Sequence, residues 1–262
     1  MRKIHPTAVI EEGASIGEGV EIGAYTFISK DAKLDRGVKI LQGAQIHGDT
    51  FIGENTVVFY NAVVGSIPQD LKYHGEKVKL IIGKNNKIRE FSFINPGTEN
   101  GGGVTKIGDN NLIMGYVHIA HDCIIGNNNI FANAVTLAGH VEVGNNAVIG
   151  GMTPVHQFVK IGDFAMIGGA SAVAQDIPPY CLAEGNRAVV KSLNIVGLRR
   201  NFEKDEIDTL KRAYKELFLS GKPLRESALR LLEESESDKV KNLCNFILNT
   251  KRGIPFERNK SI

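Results

Sequence analysis

The sequence predicts a mostly β protein, in which a parallel β-helix of hexapeptide repeats is followed by a C-terminal α-helical domain. Two observations support this prediction. An aliphatic residue recurs every six positions, and 25 of the 26 positions in phase are Ile, Leu or Val. The pattern stops after Pro178-Pro179, and the residues beyond it favour amphipathic helices instead.

The repeat runs in three stretches, and only the third differs in its six-residue phase. The positions are Ile4, Ile10, Ile16, Ile22, Ile28, Leu34, Ile40, Ile46, Ile52, Val58 and Val64, then Ile82, Ile88 and Ile94, then Ile107, Ile113, Ile119, Ile125, Phe131, Leu137, Val143, Ile149, Val155, Ile161, Ile167 and Val173. A period of six fits neither a helix nor simple strand alternation, but it fits a short strand plus a tight turn. Three such units make one coil of 18 residues, and stacked coils pair their backbones about 4.8 Å apart. We therefore expect eight or nine coils, with the aliphatic residues inside.

Two segments lose the pattern, residues 65–81 and residues 99–106. We expect both to project as loops, which in a compact repeat are usually functional. Residues 204–220, 223–236 and 238–252 are predicted to form three amphipathic helices. The predicted domains are thus the β-helix over 1–190 and the helical domain over 191–262.

Composition and charge exclude several classes of protein. The 262 residues carry a net charge of +2, which argues against a strongly basic nucleic-acid binder. The three cysteines are odd in number and lack metal-site spacing, so we expect neither a disulfide framework nor a zinc ribbon. No apolar run is long enough to span a bilayer, and no signal peptide is evident, so we expect a cytoplasmic protein without integral membrane association. The charge is asymmetric, however: −3 over residues 1–189 and +5 over residues 190–262, which favours an acidic partner for the tail.

Four of the seven histidines lie close together in sequence: His118, His121, His140 and His156. The 18-residue coil predicts that His121, Gly139 and Gln157 stack in one column on three successive coils. Asp122 and His140 stack likewise in the next column, and His118 lies near the same corner. A single histidine is more often structural than functional, but this focused group favours a functional site.

Two chemistries fit the group. Clustered imidazoles suit zinc, and one imidazole can serve as a general base while the others place the substrate. Asp122 can orient His121 only if the pair lies at a turn, because consecutive strand residues point to opposite faces. The backbone N–H of Gly139, adjacent to His121, can donate to an oxyanion, which favours acyl transfer.

Several strings make the chain resemble a known family. They are PQDLKY at 68–73, HIAHDC at 118–123, TLAGHVEVG at 136–144, VHQF at 155–158, QDIPPY at 175–180, EGNRA at 184–188 and LNIVGLRR at 193–200. Together with the hexads they resemble the left-handed β-helix acyltransferases, and among these the UDP-N-acetylglucosamine O-acyltransferases, which catalyse the first step of lipid A biosynthesis. The resemblance runs from His5 to about Arg252.

The resemblance implies a left-handed coil and a homotrimer of parallel prisms, with active sites between subunits. It implies transfer of a 3-hydroxyacyl chain from acyl carrier protein to the 3-hydroxyl of UDP-N-acetylglucosamine, or to a 3-amine of an analogue. His121 would be the general base, supported by Asp122, with the Gly139 N–H as oxyanion donor. The implied substrate-binding residues are Asp70, Lys72, His118, His140, His156, Gln157, Gly169 at the end of the acyl channel, Asn194 and Arg200. No metal and no separate cofactor are implied, since the acyl donor is carried on the phosphopantetheine of acyl carrier protein.

The sequence departs from the family pattern at Asn95, Pro96, Arg187, Val196 and Asn201, positions that bear on sugar and acyl preference. Two alternatives stay open at this point. One is the later N-acyltransferase of the same pathway, UDP-3-O-acylglucosamine N-acyltransferase. The other is a zinc hydratase on the same prism.

Overall fold

The computed structural model describes residues 3–257, so residues 1–2 and 258–262, the outermost ends of the two predicted domains, lie outside the described part. The hexads form a parallel β-helix with three faces, A, B and C, each a sheet of short strands. Face A holds β1 (Lys3–Ile4), β4 (Glu21–Ile22), β7 (Lys39–Ile40), β10 (Val57–Val58), β13 (Lys87–Ile88), β16 (Leu112–Ile113), β19 (Ile130–Phe131), β22 (Val148–Ile149) and β25 (Met166–Ile167).

The other two faces follow in the same rotation along the chain. Face B holds β2 (Val9–Ile10), β5 (Phe27–Ile28), β8 (Gln45–Ile46), β11 (Val63–Val64), β14 (Phe93–Ile94), β17 (His118–Ile119), β20 (Thr136–Leu137) and β23 (Pro154–Val155). Face C holds β3 (Ser15–Ile16), β6 (Lys33–Leu34), β9 (Asp49–Ile52), β12 (Lys79–Ile82), β15 (Val104–Ile107), β18 (Ile124–Ile125), β21 (Glu142–Val143) and β24 (Lys160–Ile161). We name the edges the A/B, B/C and C/A corners, after the faces that they join.

The aliphatic residues fill the interior, as predicted. From Ile22 to Val173 every hexad residue is buried, with at most 4% of its surface exposed. Ile4, at the open end of the first coil, is 45% exposed because no coil covers it from below. The strands pair in register, so that Ile119 lies beside Leu137 on the next coil. The parallel β-helix expected from the hexads is therefore confirmed.

Two loops leave the B/C corner on adjacent coils. The first, residues 65–78, joins β11 to β12, and the second, residues 95–103, joins β14 to β15 and contains a 3-10 turn at Glu99–Gly101. Both end earlier than predicted, because Lys79 pairs with Val104, and Leu80 with Thr105, before the hexad phase resumes. The six-residue phase could not reveal this pairing, because the first loop leaves the phase unchanged and the second shifts it by one.

The C-terminal part caps the last coil. A hairpin of β26 (Cys181–Glu184) and β27 (Val189–Leu193) continues face A, so the predicted boundary at residue 190 falls inside a strand. Up to residue 257, where the described part of the chain ends, four α-helices follow, α1 (Ile195–Arg199), α2 (Lys204–Tyr214), α3 (Leu224–Glu234) and α4 (Asp238–Asn249), with a π-helical turn at Lys215–Leu219 after α2. Asn242 of α4 donates hydrogen bonds to the Asp163 carboxylate and the Tyr180 hydroxyl, which ties the helices to the prism. Within residues 3–257, no helix combines the length and the apolar character needed to cross a lipid bilayer.

Candidate active site

His121 and Asp122 occupy the turn of the B/C corner that follows β17. Asp122 has a left-handed backbone conformation with φ of 60°, which turns its side chain back toward its neighbour. The His121 Nδ1 lies 2.8 Å from the Asp122 Oδ2. The His121 side chain is 14% exposed and the Asp122 side chain 1%. The turn thus supplies the geometry that the sequence required for this pair.

The second loop buries the Asp122 carboxylate. Thr98 donates twice, from its backbone N–H to Oδ1 at 2.8 Å and from its hydroxyl to Oδ2 at 2.6 Å. The Thr105 hydroxyl oxygen accepts from the Asp122 N–H at 2.8 Å. Gly101 passes so close that a Cβ built on it would overlap the carboxylate. Asp122 is therefore held in one orientation by three donors, of which His121 is one.

Gly139 lies against the His121 ring, one coil further along the prism. A Cβ built on Gly139 would lie 2.5 Å from Cε1 and 2.7 Å from Nε2 of His121, closer than any side chain can approach. Its N–H has no hydrogen-bond partner among residues 3–257. The corner thus presents a free backbone donor beside the imidazole.

His140 closes the other side of the pair. Its ring meets the His121 ring edge to face with centroids 5.2 Å apart, and it stacks on Phe158 at 4.4 Å. Its Nε2 is 3.8 Å from Oδ2 of Asp122. Burial lowers the pKa of His140, and this effect exceeds that of the Asp122 charge, which raises it. His140 is therefore favoured in its neutral form.

His118 lies on β17, facing outward from the same sheet. Its Nδ1 is 3.0 Å from the Phe93 carbonyl oxygen, and its ring stacks on the Phe93 ring with centroids 5.3 Å apart. Burial lowers the pKa of His118, with the Phe93 carbonyl acting in the opposite direction. Burial thus disfavours protonation of both histidines that flank His121.

The first loop brings two charges to this corner. Asp70 and Lys72 lie near its tip, where the Lys72 N–H donates to the Asp70 carboxylate at 3.0 Å. Both charges act on His140, Asp70 raising its pKa and Lys72 lowering it. Lys72 also lines an open pocket together with Glu99 and Asn100 of the second loop. The two loops therefore face each other across the corner.

The remaining predicted residues fall into two groups. His156 and Gln157 are exposed on the B/C corner, on the coil after Gly139. Gly169 lies on the A/B corner, beside Gly151 and away from His121 in the same chain. Asn194 and Arg200 lie at the two ends of α1, where Asn194 caps the helix by accepting from the Gly197 N–H at 3.1 Å. A single chain brings His121, Asp122, Gly139 and His140 together, but not Gly169, Asn194 and Arg200.

Sequence reasoning missed Thr98, Gly101 and Thr105. Thr98 and Gly101 lie in the second loop and Thr105 lies in β15 just after it, where the six-residue pattern is lost, so the pattern assigns none of them a position. One signal was available, the stacking of the coils. Ile94 pairs with Ile119, so a loop that leaves its coil after Ile94 must begin beside the turn that holds His121 and Asp122.

The arrangement suits proton transfer. Nδ1 of His121 is engaged by a fixed carboxylate, so Nε2 is left to accept a proton, with a backbone N–H donor beside it. The same three side chains, His121, Asp122 and His140, also place one potential metal-ligand atom each within 4.8 Å of one another. The carboxylate that such a metal would need already accepts three hydrogen bonds.

Comparison with known proteins gives two family matches. Residues 176–255 match the family described as Udp N-acetylglucosamine O-acyltransferase, Domain 2, and residues 105–139 match the family described as Bacterial transferase hexapeptide (six repeats).

Curated relatives match over almost the whole chain. One from Sulfurimonas denitrificans is 66% identical over 258 residues, covering 98% of this chain and 99% of the relative. One from a Sulfurovum species is 61% identical over 258 residues, with the same two shares covered. Both are named acyl-[acyl-carrier-protein]--UDP-N-acetylglucosamine O-acyltransferase.

Solved structures agree with this match. The UDP-N-acetylglucosamine acyltransferase from Campylobacter jejuni superposes with a TM-score of 0.95 at 59% identity, covering 98% of this chain and 100% of the other. The enzyme from Bacteroides fragilis gives a TM-score of 0.92 at 38% identity, covering 96% and 99%.

Proposed function

Since the chain belongs to the UDP-N-acetylglucosamine O-acyltransferase family, we propose that it transfers an acyl chain from acyl carrier protein to a sugar hydroxyl of UDP-N-acetylglucosamine. The resemblance further implies a 3-hydroxyacyl chain and the 3-position of the sugar. The observation that carries the proposal is the buried Asp122–His121 pair, bonded at 2.8 Å, with the Gly139 backbone against the imidazole.

His121 acts as the general base. Its Nδ1–H donates to the Asp122 carboxylate, which fixes the tautomer and leaves a lone pair on Nε2. Nε2 takes the proton of the sugar hydroxyl as the oxygen attacks the thioester carbonyl carbon. The imidazolium then returns that proton to the leaving thiolate of the phosphopantetheine, so the products are an ester and a free thiol.

The Gly139 N–H serves as oxyanion donor. The attack places negative charge on the former carbonyl oxygen, and a fixed N–H that donates to it lowers the barrier. The close contact between Gly139 and the His121 ring supports this role, because one reacting carbon must reach both groups. Any side chain at position 139 would occupy the space beside Nε2.

The groups around this pair bind the acceptor. Burial lowers the pKa of His118 and of His140, which makes both rings weaker bases, and both can still donate or accept hydrogen bonds. Asp70 and Lys72 reach the same corner from the first loop. His156 and Gln157 extend the surface along the coil that follows. We propose substrate contacts for all six side chains named in this paragraph.

A homotrimer of parallel prisms would complete the site. Gly169, Asn194 and Arg200 are remote from His121 in one chain, and a neighbouring chain would have to supply them. The A/B corner exposes large apolar side chains in one column, with Tyr116 62% and Met152 69% exposed. Such a column fits burial against another protomer. We further propose that acyl carrier protein is the partner and brings the acyl donor, so that no separate cofactor is needed. A cytoplasmic location is also part of the proposal.

The two alternatives differ in support. The curated relatives are named O-acyltransferases, and the tail matches the second domain of that family, so nothing favours the N-acyltransferase. The zinc hydratase has only the three ligand atoms at His121, Asp122 and His140 in its favour. Near-stoichiometric zinc required for turnover would favour the hydratase over acyl transfer.

Mass spectrometry of the product tests the proposal. The protein is incubated with a panel of 3-hydroxyacyl carrier thioesters and with UDP-N-acetylglucosamine or its 3-amino analogue. A product heavier by one acyl group establishes the reaction, the chain length and the acceptor together. No product with either acceptor, from a folded protein, would overturn the proposal.

A further inference from the structure

Asn95 is a fully buried amide at the base of both loops. It follows Ile94 on β14 and is the first residue of the second loop, with 0% of its surface exposed. Its N–H donates to the Ile119 carbonyl at 3.0 Å, which fixes its backbone on the coil beside the His121 turn. Asn95 therefore lies between the prism and the base of the first loop.

The Asn95 side chain binds the first loop directly. Its Nδ2 donates to the Ser66 carbonyl oxygen at 3.1 Å and to the Ile67 carbonyl oxygen at 3.0 Å. Within the described part of the chain, these are the only hydrogen bonds that join residues 66–72 to any residue outside the first loop. Pro68 is buried, but Ile67 is 69% and Leu71 100% exposed, so packing adds little restraint.

The side-chain oxygen of Asn95 has no hydrogen-bond partner within the described residues. Oδ1 of Asn95 is buried and accepts no hydrogen bond among residues 3–257. An unpaired buried acceptor lowers stability, so an apolar side chain of similar size would suit the fold alone at least as well. The amide is thus better explained by what its two N–H groups hold than by the stability of the coil.

We propose that Asn95 is a positioning residue that sets the first loop, residues 65–78, so that Asp70 and Lys72 face the site at His121 and His140. Asp70 lies three residues beyond Ile67, the second carbonyl that Asn95 holds. The Tyr73 N–H donates to the Asp70 carbonyl at 3.0 Å, so the tip is a compact turn only three residues from the anchored carbonyl. The inference rests on the proposed function, because it takes Asp70 and Lys72 to contact the acceptor sugar.

The test is Asn95→Leu, which removes both donors and the unpaired oxygen while keeping the volume. We expect the KM for UDP-N-acetylglucosamine to rise about tenfold, the effect of one or two lost hydrogen bonds, with kcat little changed. The thermal midpoint should not fall. Hydrogen exchange at the Lys72 and Tyr73 amides should become faster, because the tip is no longer anchored.

Asn129→Leu is the matched control. Asn129 is also fully buried, but its Nδ2 donates to the Gly144 carbonyl and its Oδ1 accepts from Ala147, far from the loops. Asn129→Leu should lower the thermal midpoint. It should leave the KM for UDP-N-acetylglucosamine and the hydrogen exchange of the Lys72 and Tyr73 amides unchanged.

A double-mutant cycle with Asp70→Asn gives the second readout. If Asn95 acts through the loop, Asn95→Leu should raise KM little further in that background. Unchanged exchange at the tip in Asn95→Leu would overturn the positioning role whether or not the enzyme turns over. Faster exchange with a wild-type KM, or fully additive effects in the cycle, would also overturn it. Absence of wild-type turnover with either acceptor would instead overturn the proposed function.

Discussion

At the residue scale, the site depends on one carboxylate that is fixed from three directions. The 18-residue spacing of the coils predicts that His121 lies beside Gly139, and the structure has them in contact. The same spacing could not find the Thr98 hydroxyl, 2.6 Å from Asp122, because it lies in a loop of irregular length. The predictable part of the site is the part that the coil repeats.

Replacing Thr98 tests the importance of that orientation. Thr98→Val keeps the shape and the backbone N–H but removes the hydroxyl donor to Oδ2 of Asp122. A hydrogen bond to a charged group contributes about 1.5–3 kcal/mol, so we expect kcat to fall at least about tenfold. Thr98→Ser keeps the hydroxyl and should retain most activity. Equal activity of the Val and Ser variants would show that this hydroxyl is dispensable.

Replacing Gly139 tests the contact at the base. Gly139→Ala places a methyl group 2.5 Å from Cε1 of His121, so the ring must move. We expect kcat to fall about a hundredfold or more, as for loss of a base or of an oxyanion donor. Gly115→Ala is the control, since its Cβ would meet Asn133 and Glu90 only at 3.3 and 3.4 Å. Wild-type turnover by Gly139→Ala would mean that this contact has no part in catalysis.

At the scale of elements, the hexads predict each short strand because one buried aliphatic residue defines it. The helices are predicted nearly as well, with 204–220 found as α2 and its π-helical turn, Lys204–Leu219. The hairpin β26–β27 was missed, because its antiparallel pairing carries no six-residue period. The short helix α1 was missed as well, since its five residues give too little periodicity. Asn194, expected to contact substrate, caps this helix, and its substrate role stays a prediction.

Face B and its corner predict a pH dependence of stability. His118 and His140 have folded-state pKa values lowered from 6.5 by burial, so the unfolded chain binds more protons as the pH falls through 6.5. Their contribution to stability is therefore present above that pH and lost below it. We expect the urea midpoint to fall between about pH 7.5 and pH 5.5, and His118→Gln to reduce the fall. A midpoint that stays constant or rises on acidification would contradict this account.

At the scale of the whole molecule, the prism carries the candidate active site on its B/C corner and the helices add basic charge at one end. The division of charge, −3 over residues 1–189 and +5 over residues 190–262, can be read directly from the sequence. How the subunits assemble cannot, because the hexads specify contacts between coils and not between chains. The positions of Gly169 and Arg200, remote from His121 in one chain, make assembly a requirement of the proposed mechanism.

The charge division predicts a salt-dependent KM for the acyl carrier. An acidic carrier that docks on the basic helices should bind more weakly as salt shortens the range of attraction, to about 10 Å at 0.1 M. We expect KM for the acyl carrier to rise several-fold between about 50 and 500 mM salt. A small acyl thioester without the carrier protein is the control and should show little salt dependence. A salt-independent KM for the full carrier would argue against electrostatic docking.

The central claim is that His121 removes the proton from the acceptor, and the most direct test is the kcat of His121→Ala with acyl carrier thioester and UDP-N-acetylglucosamine. Thermal unfolding of the same sample verifies that the variant is folded. We predict a loss of about 10²–10⁴ in kcat, typical of removal of a general base. A folded His121→Ala protein with a near-wild-type kcat would contradict the account and assign the chemistry to another residue.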